Sequence, residues 1–222
     1  MCGRFSLVYN PGKLLERVGV RRMPEFKARY NIAPGQDALV VLSDQPEEAV
    51  MARWGLVPSW AKDSSIGNQM INARAETLDE KPAFRRSFEK QRCLIPADGF
   101  YEWDKAKDPF RFTLKGGEPF FMAGLYDRWR GSGKELLSFT IITLDPNAAV
   151  SKVHDRMPAI LGKKSGKAWL REHDPAELKA MLQPYPDGEM DRAAVSRRLN
   201  SPANDDADVL RPEDRKLLYT LE

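Results

Sequence analysis

Residues 93–144, CLIPADGFYEWDKAKDPFRFTLKGGEPFFMAGLYDRWRGSGKELLSFTIITL, decide the fold. The stretch breaks into short apolar or alternating runs separated by turn residues, which is the pattern of strands. Residues 93–96 and 99–103 read as two short strands with a turn around Asp98–Gly99. Residues 110–115 and 119–126 are expected to pair as a hairpin across Lys115–Gly116–Gly117–Glu118. LLSFTIITL at 136–144 is apolar enough for a central strand.

Working outward, residues 38–43 and 48–54 read as strands. Residues 11–19 predict a short helix with Leu14, Leu15 and Val18 on one face and Gly19 as its stop. Residues 82–91 look helical, with Phe84 and Phe88 at i, i+4 and Pro82 near the first turn. Two further helices are expected at 165–172 and 175–182, the second with Leu178, Met181 and Leu182 as its apolar face. Strands outnumber helices and are mostly joined by short turns. The expected fold class is therefore α+β, a curved, mostly antiparallel β-barrel-like core with peripheral helices.

A chain of 222 residues, 42% hydrophobic and 30% charged, is long enough for a real core and excludes wholesale disorder. No repeat, low-complexity segment or Gly/Ser linker divides it, so a single domain over 1–222 is expected. The longest apolar runs are about four to six residues, as in 39–42, so no membrane span is expected. The start, MCGRFSLVYN, lacks the apolar segment of a secretory leader, and a cytoplasmic location follows as an expectation. Net charge is only +3, but residues 1–36 carry seven basic and two acidic side chains, and residues 200–222 carry three and six. A locally basic surface suits phosphates, although net charge alone does not point to nucleic acid. Cys2 and Cys93 are the only cysteines, and they show no zinc-ligand spacing with His154 and His173. Neither a disulfide framework nor a metal is expected.

Several residues carry chemistry. Removal of Met1 would leave Cys2 with a free α-amine beside its thiol. Such an amine titrates near ~7.7–8.0 against ~10.4 for lysine, so a useful fraction is unprotonated at neutral pH. It condenses with aldehydes, and the thiol then closes a five-membered thiazolidine. The same group also serves N-terminal nucleophile hydrolysis, and an incidental cysteine is the plainer alternative. In FYEW at 100–103, Phe100 and Glu102 share one strand face, Tyr101 and Trp103 the other. A carboxylate among aromatics is pushed upward in pKa and suits acid–base work; a solvent-facing Glu102 is the alternative. His154, in HDRMP, suits proton shuttling, with a structural histidine as the alternative, whereas His173 reads as a helix-end cap. Asn72 and Arg74 in INARAET stand two apart, for an amide contact and a phosphate grip, or as a turn residue and a solvated cation. Trp60, after Pro58, is available either to stack on a base or to pack in the core.

Six ordered motifs, MCGRF at 1–5, YNIAPG at 30–35, RWGLVPSW at 53–60, INARAET at 71–77, ADGFYEW at 97–103 and HDRMPAIL at 154–161, together resemble the SOS-response-associated peptidase (SRAP) family. The resemblance runs from Cys2 to about Pro202 and leaves residues 203–222 as an unassigned tail. It implies an α+β domain with a basic channel for single-stranded DNA containing abasic sites, no small-molecule cofactor and a monomer. It further implies that Cys2, freed of Met1, crosslinks to the lesion; the family's peptidase name is tied to that removal. Asn72, Glu102 and His154 match the family's active-site polar residues, Arg4, Arg74 and Arg156 its phosphate contacts, and Trp60 a residue at the bend of the DNA strand. Three arginines on single-stranded phosphates would give a log–log salt slope of roughly −2. Competing expectations are an N-terminal nucleophile glutaminase, a general peptidase, and a single-strand-binding module without covalent chemistry.

Overall fold

The computed structural model describes residues 2–131, 133–162 and 165–212. Five strands close into a barrel: β3 (Asp37–Leu42), β4 (Gln45–Trp54), β6 (Arg92–Ala97), β9 (Phe120–Gly131) and β10 (Lys134–Leu144). Four of the five contacts are antiparallel, and β10 against β4 is parallel, with Ser138 opposite Arg53 and Phe139 opposite Trp54. The inward residues are large and apolar, among them Trp54, Ile95, Met122, Phe139 and Ile141, all essentially without exposed surface. Burial at about 25 cal/mol per Å² of apolar area is what holds such a closed sheet together.

A second, wholly antiparallel sheet runs β13 (Met190–Ala194), β8 (Pro109–Leu114), β7 (Gly99–Trp103), β1 (Phe5–Leu7) and β2 (Arg29–Ile32). One apolar core joins it to the barrel, with Phe5 edge-on to Trp54 at 5.2 Å and Phe100 stacked on Phe112 at 5.1 Å. Around these lie the helices α1 (Gly12–Val18), α2 (Arg85–Lys90), α3 (Ser165–Arg171) and α4 (Pro175–Ala180). All four predicted helices are present, each somewhat shorter than its periodicity suggested. Among the described residues no helix is long and apolar enough to cross a membrane.

The expected hairpin of 110–115 with 119–126 does not form. β8 pairs with β7 and β13, whereas β9 pairs with β6, β10 and β12 (Ile160–Leu161). The Gly116–Gly117 turn, both residues at positive φ, hands the chain from one sheet to the other. The same transfer occurs between β6 and β7 at Asp98. Its buried carboxylate accepts from Ser6 Oγ at 2.7 Å, the Val8 N–H, the Tyr9 N–H at 3.0 Å and Arg111 Nη2 at 2.7 Å. Four donors on one carboxylate make this corner a welded joint.

Residues 203–212 are not a loose tail. Asp205 accepts the backbone N–H groups of Tyr30 at 2.6 Å and Asn31 at 2.8 Å and pairs with Arg29. Val209 is buried against Tyr101, Val195 and Leu199. Residues 213–222 lie outside the described residues.

Candidate functional site

Cys2 reaches the interior because β1 lies in the middle of a sheet. Phe5 pairs with Phe100 on one side and Ile32 on the other, and the Arg4 carbonyl accepts the Tyr101 N–H at 3.0 Å. Two residues back along β1 and two forward along β7, this register sets Gly3 opposite Glu102. Cys2 has no exposed surface, and its carbonyl accepts Asn72 Nδ2 at 2.8 Å. Burial, with the Glu102 charge second, drives the Cys2 thiol far above its usual range. The sulfur is held as a neutral thiol.

Asn72 opens β5 (Asn72–Arg74), a three-residue strand parallel to β10 with Asn72 opposite Ile141. It takes the place beside β10 that β4 vacates at Gly55. A Cβ on Gly55 would lie 2.6 Å from the Gly67 carbonyl oxygen, so the chain leaves the barrel there only with glycine. Ala73 is buried, which turns Asn72 and Arg74 to the other face together, as their spacing predicts. Asn72 Oδ1 is buried and, among the described residues, has no hydrogen-bond partner.

Glu102 is 1% exposed, on the same face of β7 as Phe100, while Tyr101 and Trp103 pack against the C-terminal residues Leu199 and Val209. The solvent-facing alternative is therefore excluded. Desolvation raises the Glu102 carboxyl to about 8. Burial thus favours the protonated carboxyl at neutral pH. His154 Nε2 lies 3.8 Å from Glu102 Oε2, close enough for an electrostatic contact and longer than a direct hydrogen bond. His154 Nδ1 is 3.1 Å from both the Arg156 N–H and the Asp155 carboxylate. These two demand opposite protonation at Nδ1. Burial lowers the His154 pKa, so the neutral ring accepts from Arg156 and its remaining proton sits on Nε2, facing Glu102. A thiol, a protonated carboxyl and a neutral imidazole thus meet around one chain end. That set carries no net charge.

The cations divide into two kinds. Arg74 is exposed and, among the described residues, is in no salt bridge, although its charge acts on Glu76. Arg156, by contrast, grips both oxygens of Glu76 at 2.6 and 3.0 Å, Asp145 at 2.8 Å and the Thr143 carbonyl at 2.7 Å. Arg4 Nη1 donates to Asn31 Oδ1 at 2.8 Å and the Leu199 carbonyl at 2.9 Å, with its guanidinium over the Trp103 ring. Trp60 is 60% exposed, which rules out the core alternative. Asn31 and Glu76, inside the quoted motifs, escaped the sequence analysis: Asn31 accepts from Arg4 and donates to the carbonyls of Leu199, Ser201 and Asn204, and Glu76 pairs with Arg156.

The chain matches the family model for SOS response associated peptidase (SRAP) over residues 1–202. It belongs to the SRAP family. Among SRAP relatives, the Bacillus subtilis abasic site processing protein YoqW is 43% identical over 95% of this chain and 99% of its own length. The mouse abasic site processing protein HMCES is 30% identical over 96% of this chain and 76% of its own. A crystal structure of a Bacteroides thetaiotaomicron protein, 29% identical, superposes with a TM-score of 0.85 over 96% of this SRAP chain and the whole of the other.

Proposed function

We propose that this protein captures abasic sites in single-stranded DNA as a covalent thiazolidine at Cys2, after Met1 is removed. The observation that carries the reading is the convergence of Cys2, Asn72, Glu102 and His154 in a chain whose relatives bear the name abasic site processing protein. Met1 itself lies outside the described residues.

The chemistry balances with these groups and water. An abasic sugar is mostly a closed hemiacetal, and Glu102, protonated near neutral pH, donates to the ring oxygen as it opens, while the anomeric hydroxyl gives its proton to water, which returns it to the carboxylate. The Cys2 amine adds to the freed aldehyde carbon to give a carbinolamine. His154 assists as that species loses water to an imine. The C=N bond then takes the Cys2 sulfur on carbon and the thiol proton on nitrogen. Because burial holds the sulfur as a thiol, that proton leaves only as the C–S bond forms. Asn72, anchored on the Cys2 carbonyl, fixes the direction of the amine. Closing the ring removes the imine that would otherwise promote β-elimination, so the strand stays intact. Arg74 is the phosphate contact open to the strand, with Arg4 and Arg156 adding positive potential from within their own networks. The family's peptidase name fits removal of Met1 by the same groups, and the protein acts as a DNA-associated monomer.

The test uses the mature protein and a single-stranded oligonucleotide with one abasic site. A denaturation-resistant adduct is expected, its N-terminal peptide heavier by the sugar fragment less one water. Cys2→Ala should lose the adduct entirely and keep non-covalent binding. An adduct with Cys2→Ala, or ammonia released from glutamine in place of any adduct, overturns the reading.

A further inference from the structure

His154 Nδ1 has two rival neighbours, the Arg156 N–H and the Asp155 carboxylate, each at 3.1 Å. A neutral imidazole carries one proton, and the neighbour that holds Nδ1 decides which ring nitrogen keeps it. With the Arg156 N–H donating, the proton stays on Nε2 and points toward Glu102. With Asp155 accepting, the proton moves to Nδ1 and Nε2 turns a lone pair toward Glu102. That lone pair would hold the Glu102 proton away from the sugar, and would face a carboxylate once the proton had gone. The rivals are consecutive residues, and the Asp155 side chain is 88% exposed. What keeps the Arg156 N–H in place must therefore come from elsewhere in the fold.

It comes through the guanidinium. Arg156 Nη1 donates to Glu76 Oε1 at 2.6 Å and Asp145 Oδ1 at 2.8 Å, and Nη2 to Glu76 Oε2 at 3.0 Å and the Thr143 carbonyl at 2.7 Å. The backbone contact follows from register, because β11 (Met157–Pro158) pairs with the end of β10, Pro158 opposite Thr143. Of the two acids, Asp145 is 82% exposed and touches one nitrogen. Glu76 takes both nitrogens in a fork, which fixes the plane of a guanidinium as well as its position. Hydrogen bonding from Arg156 holds the Glu76 carboxyl below its usual range, so it stays ionised at neutral pH. Glu76 follows directly on β5, whose Asn72 is anchored on the Cys2 carbonyl. The segment 72–76 thus steadies the nucleophile at one end and the imidazole at the other.

We propose that Glu76 is a positioning residue: by clamping Arg156 it keeps the Arg156 N–H on His154 Nδ1, shuts out Asp155 and fixes the imidazole as the tautomer whose proton faces Glu102. The tautomer is a property of the free protein, and only its effect on crosslinking rests on the reading of Cys2 chemistry given above.

Nitrogen NMR of the imidazole rings tests this directly, since the chain has two histidines, His154 and His173. At neutral pH the wild-type His154 should show Nε2 protonated and Nδ1 bare. Glu76→Gln keeps the side-chain shape but turns an amide N–H toward one guanidinium nitrogen. It should move His154 to the Nδ1–H form and slow crosslinking at saturating abasic oligonucleotide about 10–100-fold, the loss found at metal sites when a partner that orients an imidazole is removed. Asp145→Asn should keep the wild-type tautomer. Adding Asp155→Asn to Glu76→Gln should restore the Nε2–H form and most of the rate, because an amide N–H then donates to Nδ1. Binding of an intact oligonucleotide should not weaken in Glu76→Gln, which separates the effect from DNA contact. A wild-type His154 pattern in Glu76→Gln, or a loss that Asp155→Asn does not restore, overturns the proposal. The expected tautomers in a protein that forms no adduct with abasic strands remove the covalent reading and leave the role of Glu76 standing.

Discussion

Asp98 and Glu102 sit four residues apart on either side of the same bend in the chain, and both carboxylates are buried. Asp98 collects two backbone N–H groups, a hydroxyl and the Arg111 guanidinium. Glu102 faces a neutral imidazole at 3.8 Å and is raised to about 8 by desolvation. Where the fold needs a joint, it surrounds the charge with donors. At the site it leaves the charged form expensive, and the carboxyl keeps its proton. Arg92 follows the first pattern: 1% exposed, it donates to the carbonyls of Phe88, Glu89, Trp169 and Glu172 at the ends of α2 and α3.

Exchanging the two acids for their amides breaks or sharpens that contrast. The largest effect is expected for Glu102→Gln, which removes the proton donor and should slow crosslinking at pH 7 by about 10²–10⁴-fold, measured as single-turnover adduct formation. Its pH profile should change shape as well. The wild-type rate should rise as the Cys2 amine deprotonates near ~7.7–8.0 and fall as Glu102 ionises near 8; in Glu102→Gln the fall should vanish.

The same variant tests stability with a definite sign. A carboxyl whose folded pKa is raised from 4.5 to about 8 binds its proton more tightly in the native state. Its contribution is therefore fully present below about 4.5 and is lost progressively as pH rises to about 8, up to a bound of about 5 kcal/mol. Thermal unfolding at pH 8.5 should show Glu102→Gln above wild type, with the gap closing toward pH 4.5. Asp98→Asn should do the reverse, losing about 3 kcal/mol or more because it removes the charge that Arg111 pairs with and turns an amide N–H toward the two donors on one of its oxygens, with unchanged crosslinking per folded molecule. A stabilised Asp98→Asn would erase the distinction. The smallest effect is expected at Arg74. Arg74→Gln should reduce the salt slope of oligonucleotide binding by about 0.7, and the wild-type slope should be nearer that value than the −2 that three open arginines would produce, because Arg4 and Arg156 are engaged internally.

Legibility followed the range of each interaction. The strand faces of 100–103 and the helix stripes of 11–19 are written locally, in alternation and in i, i+4 spacing, and the structure keeps them. Cys2, Asn72, Glu102 and His154 stand in short motifs, and the fold assembles them from β1, β5, β7 and the turn before Arg156. The hairpin across Gly116–Gly117 failed because a turn signal says that the chain bends and not which sheet receives the next strand. Asp205 and Asp127 were invisible for a related reason. Each is one aspartate in a polar stretch until a backbone N–H from more than 60 residues away arrives to meet it. The internal pairing of Arg156 with Glu76 is likewise an 80-residue contact that no spacing announces.

The knot formed by Arg4, Asn31, Leu199 and Asp205 bears on how the molecule is made. Its members lie as far apart along the chain as positions 4 and 205, so the surroundings that restrain Arg4 are complete only once the last of them has been translated and has folded back. Throughout most of synthesis that arginine therefore stays unsheltered.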